Sequence, residues 1–261
     1  MNIHAIEEVK DTDQESRTVL AIRFGRGRTG GTTFLDFLIQ RARRAGRTVT
    51  VADGDRKKPT LAGLYPPGEP GGALQPRSKD IADVMEWVTD ITSQAAEDRV
   101  SMVLDMGAGD DVLELHGKDL NLQEFCVASG IEPLAIYTIG PEGEDFNYVM
   151  GVYDEGYFRS ERALLVMNES LVPMGKSAGG MFDFVYSDPR FERISETARP
   201  VNMPKLACMG AMRQERLTYY DAAEGKRGVS GRPMLMGHQY IAKTWLNRME
   251  ENLASVREWL P

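Results

Sequence analysis

The chain has 261 residues, of which 42% are hydrophobic and 27% are charged, a composition ordinary for a globular protein of one large or two small domains. Its formal net charge of −8 argues against a protein that coats nucleic acid with its whole surface, which leaves DNA binding open but unsupported. The polar, acidic N-terminus is neither a signal peptide nor a transit peptide, and no apolar run approaches the roughly 18 residues that span a membrane. We therefore expect a cytoplasmic protein without a membrane span.

The first predicted elements form a single unit around a glycine cluster. β-branched and apolar residues predict a strand at Arg17–Phe24, which ends in the glycine-rich residues 25–31. Apolar residues then recur at helical spacing in Thr32–Arg44, and a second predicted strand at residues 48–52 ends at Asp53. Strand, glycine loop, helix and strand make one βαβ unit, which implies parallel strands and a right-handed crossover.

Predicted strands and helices continue to alternate along the chain. After an irregular Pro/Gly-rich stretch at 59–76, helices are predicted at 80–98, 120–129, 145–157 and 237–259, and strands at 100–104, 133–139, 163–167 and 205–209. Residues 174–197 carry no clear pattern. The alternation predicts an α/β fold with a doubly wound, mostly parallel sheet, helices on both faces, and a ligand at the carboxyl ends of the strands. We expect residues 1–16 to be a flexible leader and residues 17–261, including the C-terminal helix, to form a single domain.

The glycine cluster carries the chemistry that the sequence suggests. It runs from Gly25 to Thr32 and matches the phosphate-loop pattern G-x-x-x-x-G-K-[ST], except that Gly31 stands where the lysine belongs. In such a loop, backbone N–H groups and a helix N-terminus surround phosphate, and the final hydroxyl ligates Mg²⁺. Arg26 and Arg28 are extra cations that could replace the missing charge, because a guanidinium suits phosphate geometry. The alternatives are a tight turn without a ligand and an anion site for a ligand other than a nucleotide.

The loop also resembles that of the ParA/MinD ATPases, whose deviant Walker A motif reads G-K-G-G-x-G-K-T-T. Aligned directly, Arg26 falls on the family's signature lysine, Gly31 on its second lysine, and Thr32 and Thr33 on its paired threonines. Three later family features follow in the same order: strands that end in D-x-D, in D-x-x-x-G and in an asparagine. Their counterparts here are Asp53-Gly54-Asp55, Asp105 to Gly109, and Met167-Asn168.

The resemblance implies a role for each matching residue. Phosphates of ATP would lie on the backbone amides of Gly27, Arg28, Thr29, Gly30 and Gly31, next to the paired Thr32 and Thr33. Mg²⁺ would be held by Thr32 and, through water, by Asp105, and Asn168 would contact the adenine. Asp55 would help to position the attacking water, and Arg26 would act across a dimer on the partner's phosphates. The alternatives are a solvated strand end for Asp55, a helix cap for Asp105 and an ordinary turn for Asn168.

Two departures from the family pattern bear on catalysis. Gly31 removes the lysine charge from within the subunit, and the family's Asp-Pro-Gln is replaced by Asp55-Arg56-Lys57. Losing an electrostatic group of this kind typically lowers a rate by orders of magnitude. We therefore expect nucleotide binding with at most a weak ATPase activity.

At the level of function, the resemblance implies a switch protein. Such a protein would bind ATP and Mg²⁺, form a homodimer, hydrolyse ATP slowly or not at all, and work with a protein partner in plasmid partition, conjugation or the positioning of a cellular complex. A first alternative is a pseudo-ATPase interaction scaffold that no longer binds or hydrolyses nucleotide. A second is a small-molecule enzyme of the same loop family, similar to the dethiobiotin or cobyrinate amide synthetases, which need the lysine for phosphoryl transfer.

Overall fold

A computed structural model describes residues 17–108 and 111–261. The predicted leader at 1–16 and the predicted motif residue Gly109 lie outside the described residues. The strands are β1 (Thr18–Phe24), β2 (Val49–Asp53), β3 (Ser101–Asp105), β4 (Ile131–Ile139), β5 (Ala163–Asn168) and β6 (Ala198–Met203). They form one sheet in the order β2-β3-β1-β4-β5-β6, and every neighbouring pair is parallel. The predicted α/β fold with a parallel sheet is confirmed.

Helices connect the strands on both faces of the sheet. They are α1 (Gly31–Arg44), α2 (Thr60–Leu64), α3 (Ile81–Asp98), α4 (Asp111–Leu120), α5 (Leu122–Ala128), α6 (Gly143–Glu155), α7 (Ala178–Ser187), α8 (Arg190–Ser195), α9 (Met209–Gln214), α10 (Tyr219–Ala223) and α11 (Met236–Asn252). Two short 3₁₀ helices lie at Glu169–Leu171 and Ala254–Trp259. Among the described residues, no helix combines the length and apolar character that crossing a membrane requires.

The sheet separates two hydrophobic cores. On one face α1 and α11 pack together, and the rings of Phe37 and Trp245 meet edge to face with centroids 5.4 Å apart. On the other face α3 and α6 contribute buried residues such as Val88 and Phe146. Because both faces are covered, all seven residues of β1 are buried, which is the near-continuous apolar pattern expected of a central parallel strand.

The last strand was predicted in the wrong place. It was expected at residues 205–209, but β6 spans Ala198–Met203 and pairs only with β5 in the described sheet. Pro200 within β6 has no backbone N–H donor, which an edge strand tolerates. Because proline argues against a strand in the sequence, β6 was not predicted. In the predicted stretch Met209 N–H instead donates to Leu206 O over 3.1 Å, which turns the chain into α9.

Other regions also differ from the expectation in detail, and α4, α9 and α10 lie where no helix was predicted. The unassigned stretch 174–197 contains α7 and α8, and the irregular stretch 59–76 contains the short helix α2. Leu74 of the same stretch forms an isolated parallel bridge with Ala52, which adds a short fragment beside β2. The predicted helix at 237–259 ends as an α-helix at Asn252 and continues only as a 3₁₀ helix.

Candidate functional site

The glycine loop lies at the carboxyl edge of the sheet, where β1 ends and α1 begins. β1 is paired with β3 on one side and β4 on the other. Strands β2 and β3 are added on one side of β1 and strands β4 to β6 on the other, so the strand order reverses at β1. Ligands of open α/β sheets bind at such a switch point. The first turn of α1 contains no acidic residue of its own, and its N-cap residue Gly30 provides no side-chain cap. The N-terminus of a helix attracts negative charge. The position and the local field therefore favour an anion.

The loop backbone is held in a strained and crowded conformation. Gly30 has φ 87°, and a Cβ atom there would overlap Nδ2 of Asn168. A Cβ atom on Gly25 would lie 2.5 Å from the carbonyl oxygen of Thr138. Arg28 has φ 71°, a left-handed conformation that is uncommon for a residue other than glycine. Both glycines are thus required by close approach of neighbouring groups, and Gly27 lies at the exposed tip of the loop.

Thr29 anchors the loop to the sheet through its side chain. Its hydroxyl lies 2.9 Å from the hydroxyl of Thr138 on β4 and donates to the carbonyl oxygen of Arg26, also over 2.9 Å. From the end of β5, Asn168 Nδ2 donates to the carbonyl oxygen of Thr29 over 2.9 Å. Thr29 and Asn168 are each 2% exposed. The loop is therefore tied to two neighbouring strands as well as to the strand that precedes it.

The two residues predicted to hold a metal lie side by side. The hydroxyl of Thr32, in the first turn of α1, donates to Asp105 Oδ2 over 2.6 Å. Asp105 ends β3, is 2% exposed, and its Oδ1 accepts the N–H of Gly107 over 2.9 Å. Among the described residues no group of three or more His, Cys, Asp or Glu is arranged to hold a metal. A divalent cation at this place would therefore depend on Thr32, Asp105, water and the oxygens of a ligand.

Arg23 belongs to the same cluster but was not predicted from the sequence as a site residue. It lies on β1, two residues before the first glycine, and is only 6% exposed. Its Nη1 donates to the carbonyl oxygen of Gly25 over 3.0 Å, and its Nη2 lies 3.2 Å from Asp105 Oδ1. The signal that could have revealed it is a lone charged residue in the otherwise uncharged strand TVLAIRF. A buried charge is normally paired, so such a residue points to a partner at the strand end.

The two loop arginines have different surroundings. Arg26 Nη1 lies 3.2 Å from Oδ1 of Asp145 in the first turn of α6, while the Arg26 side chain stays 44% exposed. Asp145 is itself held, because its Oδ2 accepts the N–H of Gly140 over 2.9 Å. Arg28 is exposed and lines a cavity beside the loop. Arg26 is therefore bound within its own subunit in this structure, whereas Arg28 borders open space.

The carboxylates of Asp53, the last residue of β2, and of Asp55 lie close to the end of β3. Asp55 Oδ1 accepts the N–H groups of Lys57 and Lys58, each over 2.8 Å, and a Cβ atom on Gly107 would lie 2.5 Å from Asp55 Cγ. Asp53 is 1% exposed, and its two oxygens accept the N–H groups of Asp55 over 3.0 Å and of Ala62 over 2.7 Å. Burial raises the pKa of Asp53 to about 6. Asp55 thus shapes the turn next to the site, and Asp53 ties β2 to α2.

A cavity of about 270 Å³ opens on the other side of the loop. It lies between the start of α1, the end of β5 and the segment that follows β6. Its lining combines cationic, apolar and polar side chains and includes Arg28, Thr33, Asn168, Lys205, Leu206 and Trp245. Asn168 faces this cavity, but its Oδ1 already accepts the backbone N–H and the hydroxyl of Ser170, at 3.0 and 2.6 Å.

Comparisons with known proteins find likenesses among solved structures. No protein-family model matches the sequence, and no curated protein matches it. Among solved structures, the signal recognition particle receptor FtsY from Elizabethkingia anophelis, in complex with GDP, is similar over 75% of this chain with 12% identity and a TM-score of 0.50. The cell division protein MinD from Aquifex aeolicus aligns over 89% of this chain and 97% of its own, with 15% identity and a TM-score of 0.49.

At 12% identity, the likeness to FtsY shows the fold alone, and the chain spans about 60% of the length of that FtsY structure. The six-stranded parallel sheet, with helices on both faces and a glycine loop after its central strand, is the α/β fold of P-loop NTPases. The assignments of individual site residues stay predictions.

Proposed function

We propose that this chain is a nucleotide-binding switch protein of the ParA/MinD-like kind, formed by one domain over residues 17–261. The observation that carries the proposal is the contact between Thr32 on the phosphate loop and Asp105 at the end of the neighbouring strand. The contact brings a hydroxyl and a carboxylate together beside the N-terminus of α1. This arrangement is what a nucleoside triphosphate with a divalent cation requires.

The phosphates would lie against the loop backbone. Residues 27–31 provide successive N–H groups, and the uncapped first turn of α1 adds its dipole. The exposed Arg28 borders both the loop and the cavity of about 270 Å³. The base would enter that cavity, beside Asn168 and Thr33. We propose ATP as the nucleotide because the loop resembles that of an ATPase family.

The residues present fit Mg²⁺. The Thr32 hydroxyl and the Asp105 carboxylate are oxygen ligands, which Mg²⁺ prefers, and they lie 2.6 Å apart. When bound, the cation would neutralise part of the charge of the phosphates. Thr32 would contact the ion directly and Asp105 would orient a water ligand. The protein's own contribution is to position the Asp105 carboxylate through its hydrogen bonds from the Gly107 N–H and the Thr32 hydroxyl.

Hydrolysis would be slow or absent. Gly31 supplies no charge, and the Oδ1 atom of Asp55 is already engaged by two backbone N–H groups. Electrostatic stabilisation of the leaving phosphate is usually a large part of an enzyme's rate enhancement. Because that stabilisation is weakened here, the protein would stay in its nucleotide-bound state for a long time or permanently. Asp55 and Arg26 are the residues we propose for the residual activity.

We further propose that the bound nucleotide controls a homodimer, which in turn engages a protein partner in plasmid partition, conjugation or the positioning of a cellular complex. Arg26 stands at the position of the family's signature lysine and is 44% exposed on its side chain. To reach a partner subunit it must leave Asp145, whose side chain is 8% exposed and keeps the hydrogen bond from the Gly140 N–H. Dimer formation would therefore exchange an internal contact for one across the interface.

Isothermal titration with ATP, GTP and a non-hydrolysable ATP analogue, with and without Mg²⁺, tests the binding. We expect heat with ATP and Mg²⁺, a loss with Thr32→Ala, and retention with Thr32→Ser, which keeps the hydroxyl. Light scattering of the analogue complex reports the dimer, and Arg26→Ala should leave a nucleotide-bound monomer. An unmodified chain that gives no heat with any of these ligands at millimolar concentration would rule the proposal out.

A second candidate is the pseudo-ATPase scaffold, and one observation favours it. Asp105 already has its partners within the chain, since it bonds to Thr32, Gly107 and Arg23. A scaffold would show the same thermal stability with and without ATP. It would also keep its partner binding in Thr32→Ala, whereas a switch would lose it.

A further inference from the structure

The buried arginine on β1 and the glycine at the lysine position are in contact. A Cβ atom built on Gly31 would overlap Cδ and Nε of Arg23 and would lie 2.9 Å from its Cγ. Gly31 is the first residue of α1 and does not have the left-handed backbone that itself favours glycine. The requirement for glycine at this position therefore comes from the Arg23 side chain and not from the backbone.

The volume that Arg23 fills is the one that a loop lysine would need. In a standard phosphate loop, the lysine side chain starts at this residue and reaches the β- and γ-phosphates. Here the path from residue 31 is blocked from its first carbon onward. The guanidinium that blocks it is 6% exposed and reaches the base of the loop, where Nη1 donates to Gly25 O over 3.0 Å. A cation is thus present under the loop, but it comes from the strand.

We propose that Arg23 is the phosphate-binding cation of this loop, and that Arg23 and Gly31 together replace the missing lysine. The inference rests on the proposed nucleotide-binding function and specifies which charge serves it. Arginine has more donors than lysine, so one guanidinium serves several groups at once. Nη1 binds Gly25 O and Nη2 pairs with Asp105, while the buried Nε has no hydrogen-bond partner among the described residues.

This arrangement gives the site a property that a lysine loop lacks. Arg23 lies 3.2 Å from Asp105 Oδ1, so the carboxylate expected to orient the metal is neutralised before any ligand arrives. A guanidinium is always protonated at physiological pH and raises the local positive potential where Mg²⁺ would bind. The phosphates should therefore bind with a smaller dependence on Mg²⁺ than Thr32 and Asp105 alone would impose. The ligand class that this favours is a di- or triphosphate rather than a nucleoside or monophosphate.

A double-mutant cycle tests the exchange. Arg23→Ala should weaken ATP binding by roughly 10- to 100-fold, the loss expected for one charge-assisted hydrogen bond, and should change AMP binding much less. Gly31→Lys should lower the melting temperature, because its side chain collides with Arg23. The double variant Arg23→Ala/Gly31→Lys restores one cation and removes the collision. We expect it to recover both the melting temperature and the ATP affinity of the unmodified chain to within a few-fold.

Two matched controls accompany the cycle. Arg17→Ala removes an arginine just before the same strand, and Gly143→Lys adds a lysine at the first residue of α6, where nothing lies within 4 Å of a built Cβ atom. Both should keep the ATP affinity and melting temperature of the unmodified chain.

The outcomes separate this inference from the proposed function. If the unmodified chain binds ATP and Arg23→Ala binds it equally well, or loses ATP and AMP alike, Arg23 is not the phosphate cation while the nucleotide-binding function stands. If the double variant is no better than Arg23→Ala in both affinity and stability, the exchange is wrong. If the unmodified chain binds no nucleotide, the proposed function fails and the role of Arg23 fails with it.

Discussion

Asn168 at the end of β5 donates from Nδ2 to the carbonyl oxygen of Thr29 in the phosphate loop, over 2.9 Å. The same side chain accepts two hydrogen bonds from Ser170 through Oδ1. Asn168 therefore connects the loop to the segment that borders the cavity, and its amide orientation is determined by partners on both ends. A residue predicted to contact a base is at the same time a structural clamp on the loop.

The first prediction follows from this clamp. Asn168→Asp keeps the Ser170 contacts but places a buried carboxylate oxygen against the carbonyl oxygen of Thr29. We expect the free energy of unfolding to fall by about 2–4 kcal/mol, because a buried donor bond becomes a repulsion. Chemical denaturation measures the change. Ser170→Ala, which spares Asn168 Nδ2, should lose less than half as much, and equal losses for the two variants would contradict the clamp.

The second prediction concerns Gly30. With φ 87° and a built Cβ atom that overlaps Asn168 Nδ2, Gly30→Ala should destabilise the protein by about 2 kcal/mol or more. Gly63→Ala is the control, because Gly63 lies in α2 with nothing within 4 Å of its built Cβ atom. That variant should be neutral or more stable by about 0.4–1 kcal/mol. Thermal unfolding of both variants decides, and similar melting temperatures would show that the loop accommodates a side chain.

The third prediction concerns the buried carboxylate of α1. Asp36 is 1% exposed and accepts from Arg213 Nη2 over 2.6 Å and from the Tyr65 hydroxyl over 2.7 Å. Arg213→Met removes its cation and should lower the free energy of unfolding by about 2–4 kcal/mol, since a buried charge is left without its counter-ion. Arg216→Met changes an exposed arginine three residues away and should cost under about 0.5 kcal/mol. A loss of similar size in both would mean that the ion pair is not what stabilises α9 against α1.

The fourth prediction is a pH dependence. The pKa of Asp53 is raised by burial to about 6 in the folded state, against about 3.9 in an unfolded chain. The folded protein thus holds this proton more tightly, so the contribution of Asp53 to stability is fully present below pH 4 and is lost as pH rises through 6. Relative to Asp53→Asn, the free energy of unfolding of the unmodified protein should fall by on the order of 2–3 kcal/mol between pH 4 and 7.

Asp188 provides the control of opposite sign. Arg190 holds the pKa of Asp188 down at about 2. Its stabilising contribution is present above pH 4 and is lost as pH falls toward 2. Between pH 4 and 7, the free energy of unfolding of Asp188→Asn should therefore change with pH as it does in the unmodified protein. A flat difference between the unmodified protein and Asp53→Asn over pH 4–7 would show that Asp53 stays near its ordinary pKa in the folded state.

Much of the architecture could be predicted because it depends on patterns among residues close together in the sequence. Apolar runs that end in Gly25, Asp53 and Asp105 predict buried parallel strands, and the spacing in α1 predicts an amphipathic helix. β6 was not predicted because this edge strand contains Pro200 and exposed residues, and so lacks a continuous apolar run. Arg23 was not predicted because a lone charged residue in a strand indicates that a partner exists but not which residue it is.

The sequence by itself determined the α/β alternation, the place of the glycine loop and the absence of a lysine at Gly31, since each depends on residues within about one element of one another. Only the tertiary structure decided what each polar group contacts. Thr32 meets Asp105 across 73 positions of the chain, Arg26 meets Asp145 across 119, and Asn168 meets Thr29 across 139. A side chain and its partner at such separations are brought together by the packing of the sheet. No local pattern therefore predicts that Arg23 contacts Gly31, or that Asn168 at the end of β5 binds the loop.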